Sequence, residues 1–189
     1  MRRDVEDTRA RLVAAATAEF AELGIAGARV NRIAEQAGVN KERIYGIFGS
    51  KEALFDVVLG AAMDRHVAEL GLPGEDVAGW VGEVHDFYRA NPELLRLLMW
   101  EALQAGGRPS EIHRTERYTA KVEAFAAARG VAPDAENASA LLGLIVLAML
   151  PTLFPQLAGS LVGPYAEGAD VEGIVRDRMI TALGGVLGG

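Results

Sequence analysis

The chain of 189 residues contains no cysteine. This absence excludes a disulfide framework, a thiol nucleophile, cysteine-based zinc or iron–sulfur sites and any signal sensed by thiol oxidation. The histidines, His66, His85 and His113, stand far apart and show no HExxH spacing, so a metal centre is not expected. We predict neither a metal nor any other cofactor.

Motifs of enzymes are missing as well. The sequence has no GxSxG nucleophile elbow, no GxGxxG turn and no phosphate-binding P-loop. His85 and Asp86 adjoin in sequence, which places their side chains on different sides of a helix rather than face to face. We therefore predict that the protein is not an enzyme and keep an all-helical enzyme only as an alternative.

Strand signals are nearly absent, because there are no sustained period-2 runs and no Asn-Gly or Asp-Gly turns. Apolar residues recur instead at helical spacing, which predicts an all-α fold. We expect Asp7 or Thr8 to cap the first helix, Gly24 to end it, and Asn91 to cap the sixth. About nine helices are predicted, near 8–24, 29–37, 41–48, 51–70, 75–90, 92–105, 110–129, from Asp134 onwards, and 169–187.

Basic residues are outnumbered, 19 against 26 acidic ones, and the net charge of −7 by itself argues against a nucleic-acid partner. The distribution argues the other way. Residues 1–51 carry nine basic and seven acidic groups, a balance of +2, whereas residues 52–189 carry ten and nineteen, a balance of −9. Such an asymmetry indicates that the two parts of the chain have different partners.

Residues 137–166 carry no formal charge and raise the question of a membrane span. Pro151 and Pro155 interrupt the stretch, and neither flank has a cluster of basic residues. We therefore expect a buried or subunit-contacting helix and no membrane partner. The charged start MRRDVED is not a secretory signal, so a cytoplasmic protein is expected.

Residues 29–48, RVNRIAEQAGVNKERIYGIF, indicate two short helices that meet at a turn. Gly38 suits that turn, because a tight turn needs a positive φ and a side chain makes that conformation unfavourable. Small and apolar residues give each helix an inner face, which is typical of a helix-turn-helix whose second helix enters the major groove. These inner residues are Val30, Ile33, Ala34 and Ala37 in the first helix and Val39, Ile44 and Phe48 in the second.

The outward residues of the second helix are suited to DNA. Asn40 is expected to cap the helix, and Lys41 and Arg43 are donors for guanine edges or phosphates. Glu42 could accept from a cytosine amino group or pair with a neighbouring base. Tyr45 and Lys51 are candidates for phosphate contacts. The alternative is a helical hairpin with a solvated charged face.

Taken in order, these signatures resemble the DNA-binding domain of the TetR/AcrR family of transcriptional repressors. The resemblance covers about residues 8–59 and rests on Phe20, Leu23-Gly24, Val30, Ile33-Ala34, Ala37-Gly38-Val39, Lys41, Ile44-Tyr45, Phe48, Ser50-Lys51-Glu52 and Leu54. It implies an all-α homodimer with a DNA-binding domain at residues 1–53 and a helical ligand-sensing and dimerisation domain at 54–189. It also implies release of double-stranded operator DNA when a small-molecule effector binds.

The sequence departs from the family pattern in the reading region. Ala28 and Arg29 stand where Thr or Ser is usual, so Arg29 is expected to contact a phosphate by charge. The third helix begins NKER rather than SKGT, and Gly46 and Ile47 replace the aromatic or histidine residues that are common near its end. Tyr45 and Lys51 are retained. The base preference therefore does not follow from the resemblance.

The resemblance also implies a sensing pocket and an intersubunit four-helix bundle in the second domain. Large apolar residues and one acid are the candidates for the pocket: Trp80, Glu83, Phe87, Tyr88, Met99, Trp100, Tyr118 and Phe125. For the bundle, made by the charge-free helix and the last helix, the candidates are Leu144, Leu147, Met149, Leu150, Leu153, Ile174, Met179, Ile180 and Leu183. The alternative for each of these residues is a place in the core of one chain, which is the commoner role of such side chains.

The effector and the direction of regulation are left open by the residues. A buried carboxylate among Glu83, Asp86, Glu101 and Glu123 would suit a cationic lipophilic ligand. A small hydrophobic effector that releases a repressor is the predicted arrangement. A helix-turn-helix activator is the alternative, because it differs only in what the promoter does after binding.

Overall fold

The structure is a computed structural model that describes residues 2–104 and 114–187. No strand occurs in these residues. They form ten α-helices and one short 3-10 helix, so the predicted all-α class is confirmed. The α-helices are α1 Arg2–Gly27, α2 Val30–Gln36, α3 Lys41–Phe48, α4 Lys51–Glu69, α5 Val77–Ala90, α6 Pro92–Gln104, α7 Arg114–Ala128, α8 Ala135–Leu153, α9 Pro155–Val162 and α10 Val171–Leu187, and the 3-10 helix is Gly163–Tyr165.

The main difference from the predicted helices lies in the charge-free stretch. It forms α8, α9 and the 3-10 helix instead of one helix. Proline has no N–H and disfavours helical geometry in the residue before it, so Pro155 begins a new helix and Phe154 adopts φ −126° and ψ 61°. The helix begins next to Asp134 as predicted, and Asp134 caps α8, since its carboxylate accepts from the Asn137 N–H at 2.8 Å.

The predicted cap of the first helix is wrong, whereas Asn91 directly precedes α6, as predicted. The first helix begins at Arg2, so Asp7 and Thr8 lie within α1 rather than at its start. The side-chain amide of Asn91 donates to the Phe87 carbonyl at 2.9 Å, and so closes the end of α5. The predicted start of α7 and the glycine-rich loop before it fall in residues 105–113, outside the described residues.

Two compact units divide the chain by its packing. The described parts of Met1–His66 and Glu93–Ile112 form the first unit, and those of Val67–Pro92 and His113–Gly189 form the second. The predicted functional boundary after residue 53 stays a prediction, because compactness does not test it. The first unit contains the core on which α2 and α3 rest, with Leu12, Phe20, Ile33, Ile44, Leu54 and Leu59 fully buried.

Gly24 introduces a kink into α1, which continues beyond it to Gly27 instead of ending there. Its φ of 66° is a left-handed conformation that glycine adopts without strain. The ring of Trp100 lies so close that a Cβ at Gly24 would be 2.7 Å from it. The Trp100 Nε1–H also donates to the Ala21 carbonyl at 3.3 Å, so α6 holds the kink from within the first unit.

In the second unit, α5 packs against α8 and α10. His85 is fully buried on α5, and its Nδ1 lies 3.1 Å from the Ala148 carbonyl oxygen of α8. Asp86, on the other side of α5, accepts both guanidinium hydrogen bonds of Arg176 from α10, at 2.7 and 2.6 Å. The predicted separation of the His85 and Asp86 side chains is therefore confirmed.

Helices α8 and α9 expose a row of large apolar side chains at helical spacing. We call these residues the apolar face: Leu142, Val146, Leu147, Leu150, Phe154, Leu157 and Leu161. Helix α8 is long and apolar enough to pass the length and hydropathy test for a membrane span, with a mean hydropathy of 1.6, and 28% of that window is buried. The core helix of a soluble protein passes the same test.

Candidate nucleic-acid interface

The turn between α2 and α3 has the geometry that the sequence predicts. Gly38 has φ 67°, and the Val39 N–H donates to the Ala34 carbonyl at 3.0 Å, which closes the end of α2. The guanidinium of Arg11, on α1, donates to the Ala37 carbonyl at 2.9 Å. Ile33, Ala34, Ala37, Ile44 and Phe48 are buried as predicted, and Val30 and Val39 are half-buried. The turn is thereby fixed from both sides.

Helix α3 turns its polar residues outward. Asn40 caps it, with its side-chain oxygen accepting from the Arg43 N–H at 3.1 Å. Lys41, Glu42, Arg43 and Tyr45 are exposed, Tyr45 to 48%. A short helix with a capped N-terminus and an outward row of donors has the size and chemistry needed to read the major groove. The roles of the individual residues stay predictions.

Glu19, which the sequence analysis did not select, fixes the start of α2. Its side chain is 3% exposed and accepts from the Arg29 N–H at 2.8 Å and from Arg32 Nε and Nη2 at 2.7 and 2.8 Å. Burial would raise the pKa of Glu19, but these hydrogen bonds and charges outweigh it and hold that pKa below its usual value. Arg29 is the N-cap residue of α2 and makes no side-chain cap, and Glu19 of α1 accepts from the backbone N–H of this residue instead.

The two predicted phosphate contacts outside α3 lie on the same part of the first unit. The Arg29 side chain is exposed. Lys51, at the start of α4, is half-buried, and its Nζ lies 3.4 Å from the carbonyl oxygen of Ala28. Because Ala28 directly precedes Arg29, the contact ties the start of α4 to the start of α2. Arg9 of α1 stacks its guanidinium 5.1 Å from the Phe48 ring centroid at the end of α3.

The predicted pocket residues are divided between the two units. Trp80, Phe87, Tyr88 and Phe125 are buried in the second unit, where the Phe87 and Tyr88 rings meet edge to face at 5.7 Å. Tyr118 is half-buried there and Glu83 is exposed. Met99 and Trp100 belong to the first unit, where Met99 is 40% exposed and Trp100 packs against Gly24.

None of the four carboxylates proposed for a cationic ligand is buried in the second unit. Glu83 and Glu123 are exposed there, and Glu101 is buried in the first unit. Asp86 is exposed and bound by Arg176, whose hydrogen bonds lower the pKa of Asp86. Glu101 is therefore the one buried carboxylate of the four, and the hypothesis of a cationic ligand stays a prediction. Among the described residues of the second unit, Lys121 is a buried cation.

The predicted interface residues differ in exposure. Leu147 and Leu150 are exposed members of the apolar face. Met179 is buried within the chain, and Ile180 packs its Cδ1 where a Cβ of Gly82 would be, 2.6 Å away. The remaining candidates are half-buried: Leu144, Met149, Leu153, Ile174 and Leu183. Five further exposed residues were not predicted: Leu142 and Val146 on α8, and Phe154, Leu157 and Leu161, which follow the end of α8 within the stretch predicted as one helix.

The fold and the site define a class of protein: a helix-turn-helix transcriptional regulator with a second, helical unit. Comparison with known proteins indicates the same class. The sequence profile of "Bacterial regulatory proteins, tetR family" matches residues 12–58, and that of "Tetracyclin repressor-like, C-terminal domain" matches residues 76–177. The chain belongs to the TetR family, whose members are transcription factors rather than enzymes.

Known repressors and one solved structure match this chain over half of its length or more. The HTH-type transcriptional repressor SCO4008 of Streptomyces coelicolor is 43% identical over 173 residues, which cover 89% of this chain and 90% of that protein. The HTH-type transcriptional repressor NicS of Pseudomonas putida is 34% identical over 106 residues, about half of each chain. The crystal structure of SCO4942 from Streptomyces coelicolor has a TM-score of 0.75 and 32% identity, covering 95% of this chain and 97% of that one.

Proposed function

We propose that the protein is a dimeric repressor that binds a two-fold symmetric operator and releases it when a small molecule binds in the second unit. Repressors of the TetR family bind operator DNA and typically act as dimers. The observation that carries the proposal is the capped, outward-facing helix α3, which follows the turn at Gly38, while Glu19 fixes the start of α2. Such a DNA-binding protein works in the cytoplasm.

The proposed roles on α3 follow from side-chain chemistry. Lys41 and Arg43 donate to base edges, since both are exposed on the helix that enters the major groove. Glu42 accepts from a cytosine amino group or pairs with a neighbouring base. Asn40 leaves the first N–H groups of α3 directed at a phosphate.

Backbone contacts come from residues beside α3. Arg29, Tyr45 and Lys51 are proposed to bind phosphates, which sets the position of α3 without reading sequence. Arg32 follows Arg29 by three residues, but its guanidinium is already held by Glu19. We therefore assign Arg32 to the support of α2 rather than to DNA.

The apolar face supports dimerisation through a second copy of the chain. Leu142, Leu157 and Leu161 are 62%, 57% and 63% exposed, which is unusual for leucine residues that are grouped on two consecutive helices. Covering them with the same face of another copy would produce a two-fold axis, and two α3 helices about 34–36 Å or a multiple apart would then read successive major grooves.

Release follows from differential binding. An effector shifts the protein away from DNA only if it binds the released state more tightly than the DNA-competent state. The coupling is then reciprocal, so operator DNA weakens effector binding by the same factor. Effector binding is proposed to change the spacing of the two reading helices.

The proposal is tested by selecting bound duplexes from a random pool. We expect enrichment of one inverted repeat with two half-sites, bound by two chains. Enrichment of no sequence, or of a single half-site bound by one chain, would overturn the proposal. A promoter fusion separates a repressor from the alternative activator, since the operator should lower expression for a repressor and raise it for an activator.

A further inference from the structure

Lys121 of α7 is buried in the second unit with an unsatisfied charge. Its side chain is 1% exposed, and its Nζ has no hydrogen-bond partner among the described residues. An ammonium group removed from water is costly unless an anion or hydrogen-bond acceptors replace the lost water. This burial also lowers the pKa of Lys121 below its usual value.

The neighbours of Lys121 are aromatic. Its Nζ lies 5.4 Å from the centroid of the Trp80 ring on α5. Tyr118 and Phe125 lie three residues before and four residues after it, so they share its face of α7. Tyr88, two turns after Trp80 on α5, is buried, and this burial, reinforced by nearby Tyr118, raises its pKa. The site thus combines one cation with apolar, flat surfaces.

The Trp80 ring stabilises the ammonium only in part. A cation–π contact is worth roughly 0.5–2 kcal/mol and satisfies none of the three N–H donors as an oxygen acceptor would. The acidic residues of α7, Glu116 and Glu123, do not supply such an acceptor, because both are exposed. The N–H donors of the Lys121 ammonium group therefore have no acceptor among the described residues of the chain.

We propose that the second unit binds an aromatic carboxylate and that Lys121 Nζ donates to its carboxylate group beside Trp80. This inference rests on the proposed function, because it names the chemical class of the effector. A carboxylate matches the single positive charge and accepts several hydrogen bonds, while the aromatic side chains accommodate the apolar body. A phosphate is less suited, since it brings a second negative charge into a site with one buried cation.

A matched series of probes tests the proposal. Each of three apolar bodies, phenyl, naphthyl and indolyl, is used as a carboxylate, as the neutral amide and as the cationic amine. Binding to the full chain is measured by titration calorimetry for the wild type, for Lys121→Met and for Arg178→Met. The last is the control, because it removes an exposed positive charge from the same unit.

We expect at least one carboxylate to bind the wild type tenfold or more tightly than its amide and its amine, since tenfold corresponds to 1.4 kcal/mol and a hydrogen bond to a charged group is worth about that or more. Lys121→Met should lose this preference and Arg178→Met should keep it. The proposal is overturned if no carboxylate binds, if the amides or amines bind as tightly, or if Lys121→Met retains the preference.

Two further measurements separate this inference from the proposed function and from misfolding. The melting temperature of free Lys121→Met should equal or exceed that of the wild type, because an unpaired buried ammonium is removed; Lys121→Gln replaces it if the variant does not fold. Operator binding should be unchanged in Lys121→Met. A carboxylate that binds through Lys121 without releasing DNA leaves the site intact and contradicts the proposed release. If the wild type binds no DNA, the proposed function is contradicted, but the carboxylate site is not.

Discussion

At the scale of single residues, Glu19 determines how the reading region is anchored. Its carboxylate accepts one hydrogen bond from the Arg29 N–H and two from the Arg32 guanidinium, although it is almost fully buried. A buried carboxylate with fewer donors would destabilise the fold, whereas one with three donors stabilises it. The start of α2, and with it the side chain of Arg29, depends on this one residue of α1.

Replacing Glu19 by Gln should lower the free energy of unfolding by roughly 1–3 kcal/mol near neutral pH, because the charged acceptor is lost. The pKa of Glu19 is depressed in the folded protein. Its stabilisation is therefore complete above the unfolded value of 4.5 and is lost as the pH falls through the lower folded value. Denaturant unfolding at neutral and acidic pH checks this. A difference between wild type and Glu19→Gln that stays constant down to low pH would contradict it, and exposed Glu22→Gln is the control.

Lys51→Gln should weaken binding to every duplex by a similar factor and reduce the salt slope by about 1, because a phosphate contact carries no sequence information. Affinities for an operator and for random DNA, measured across salt concentrations, check this prediction. Arg65→Gln, about 21 Å further along α4, is the control and should change neither. A loss confined to the operator would instead assign base reading to Lys51.

The sequence was enough to predict the positions of some of these side chains but not of others. The cap at Asn40 and the outward side chains of α3 are local, so spacing along one helix is enough to predict them. Glu19 and Lys121 were missed because a charged residue in a helix usually faces water. Their burial depends on partners 10 or more residues away, Arg29 for Glu19 and Trp80 for Lys121.

At the scale of helices, glycine and proline set the boundaries, with effects that depend on packing. Gly24 was predicted to end α1, but α6 contributes Trp100 against it and the helix resumes after a kink. Pro155 divides the charge-free stretch because its effect on Phe154 is local. Pro151, in contrast, lies inside α8 without ending it.

Gly24→Ala should lower the free energy of unfolding by roughly 1–3 kcal/mol, since the new Cβ meets both a left-handed backbone and the Trp100 ring. Gly60→Ala is the matched control. It lies within α4 with no atom near the new Cβ, so it should stabilise by roughly 0.5–1 kcal/mol. Thermal or denaturant unfolding measures both. Equal stability of Gly24→Ala and the wild type would contradict the requirement for glycine at this position.

At the scale of the whole molecule, the distribution of charge agrees with the division of labour. The basic balance of +2 lies in residues 1–51, which contain the helix-turn-helix, and the balance of −9 lies in the rest. An acidic second part is repelled by DNA, which favours contact through the reading region alone. The total of −7 hides this difference.

Leu157→Glu should convert the protein from two chains to one, because it places a charge on the apolar face. Operator affinity should fall with it, since one chain holds one half-site. Light scattering and DNA binding at matched concentrations measure the two effects. Leu103→Glu, at a leucine that is 70% exposed in the first unit, is the control and should remain dimeric. A Leu157→Glu protein that stays dimeric would place the interface elsewhere.

The central claim is that α3 reads DNA sequence through its exposed side chains. The most direct measurement compares the sites that the wild type and Arg43→Ala select from the same random duplex pool. We predict that Arg43→Ala still enriches an inverted repeat but loses the base preference at one or two positions of each half-site, at a cost of about 1–3 kcal/mol per half-site. An unchanged preference at every position would contradict the claim.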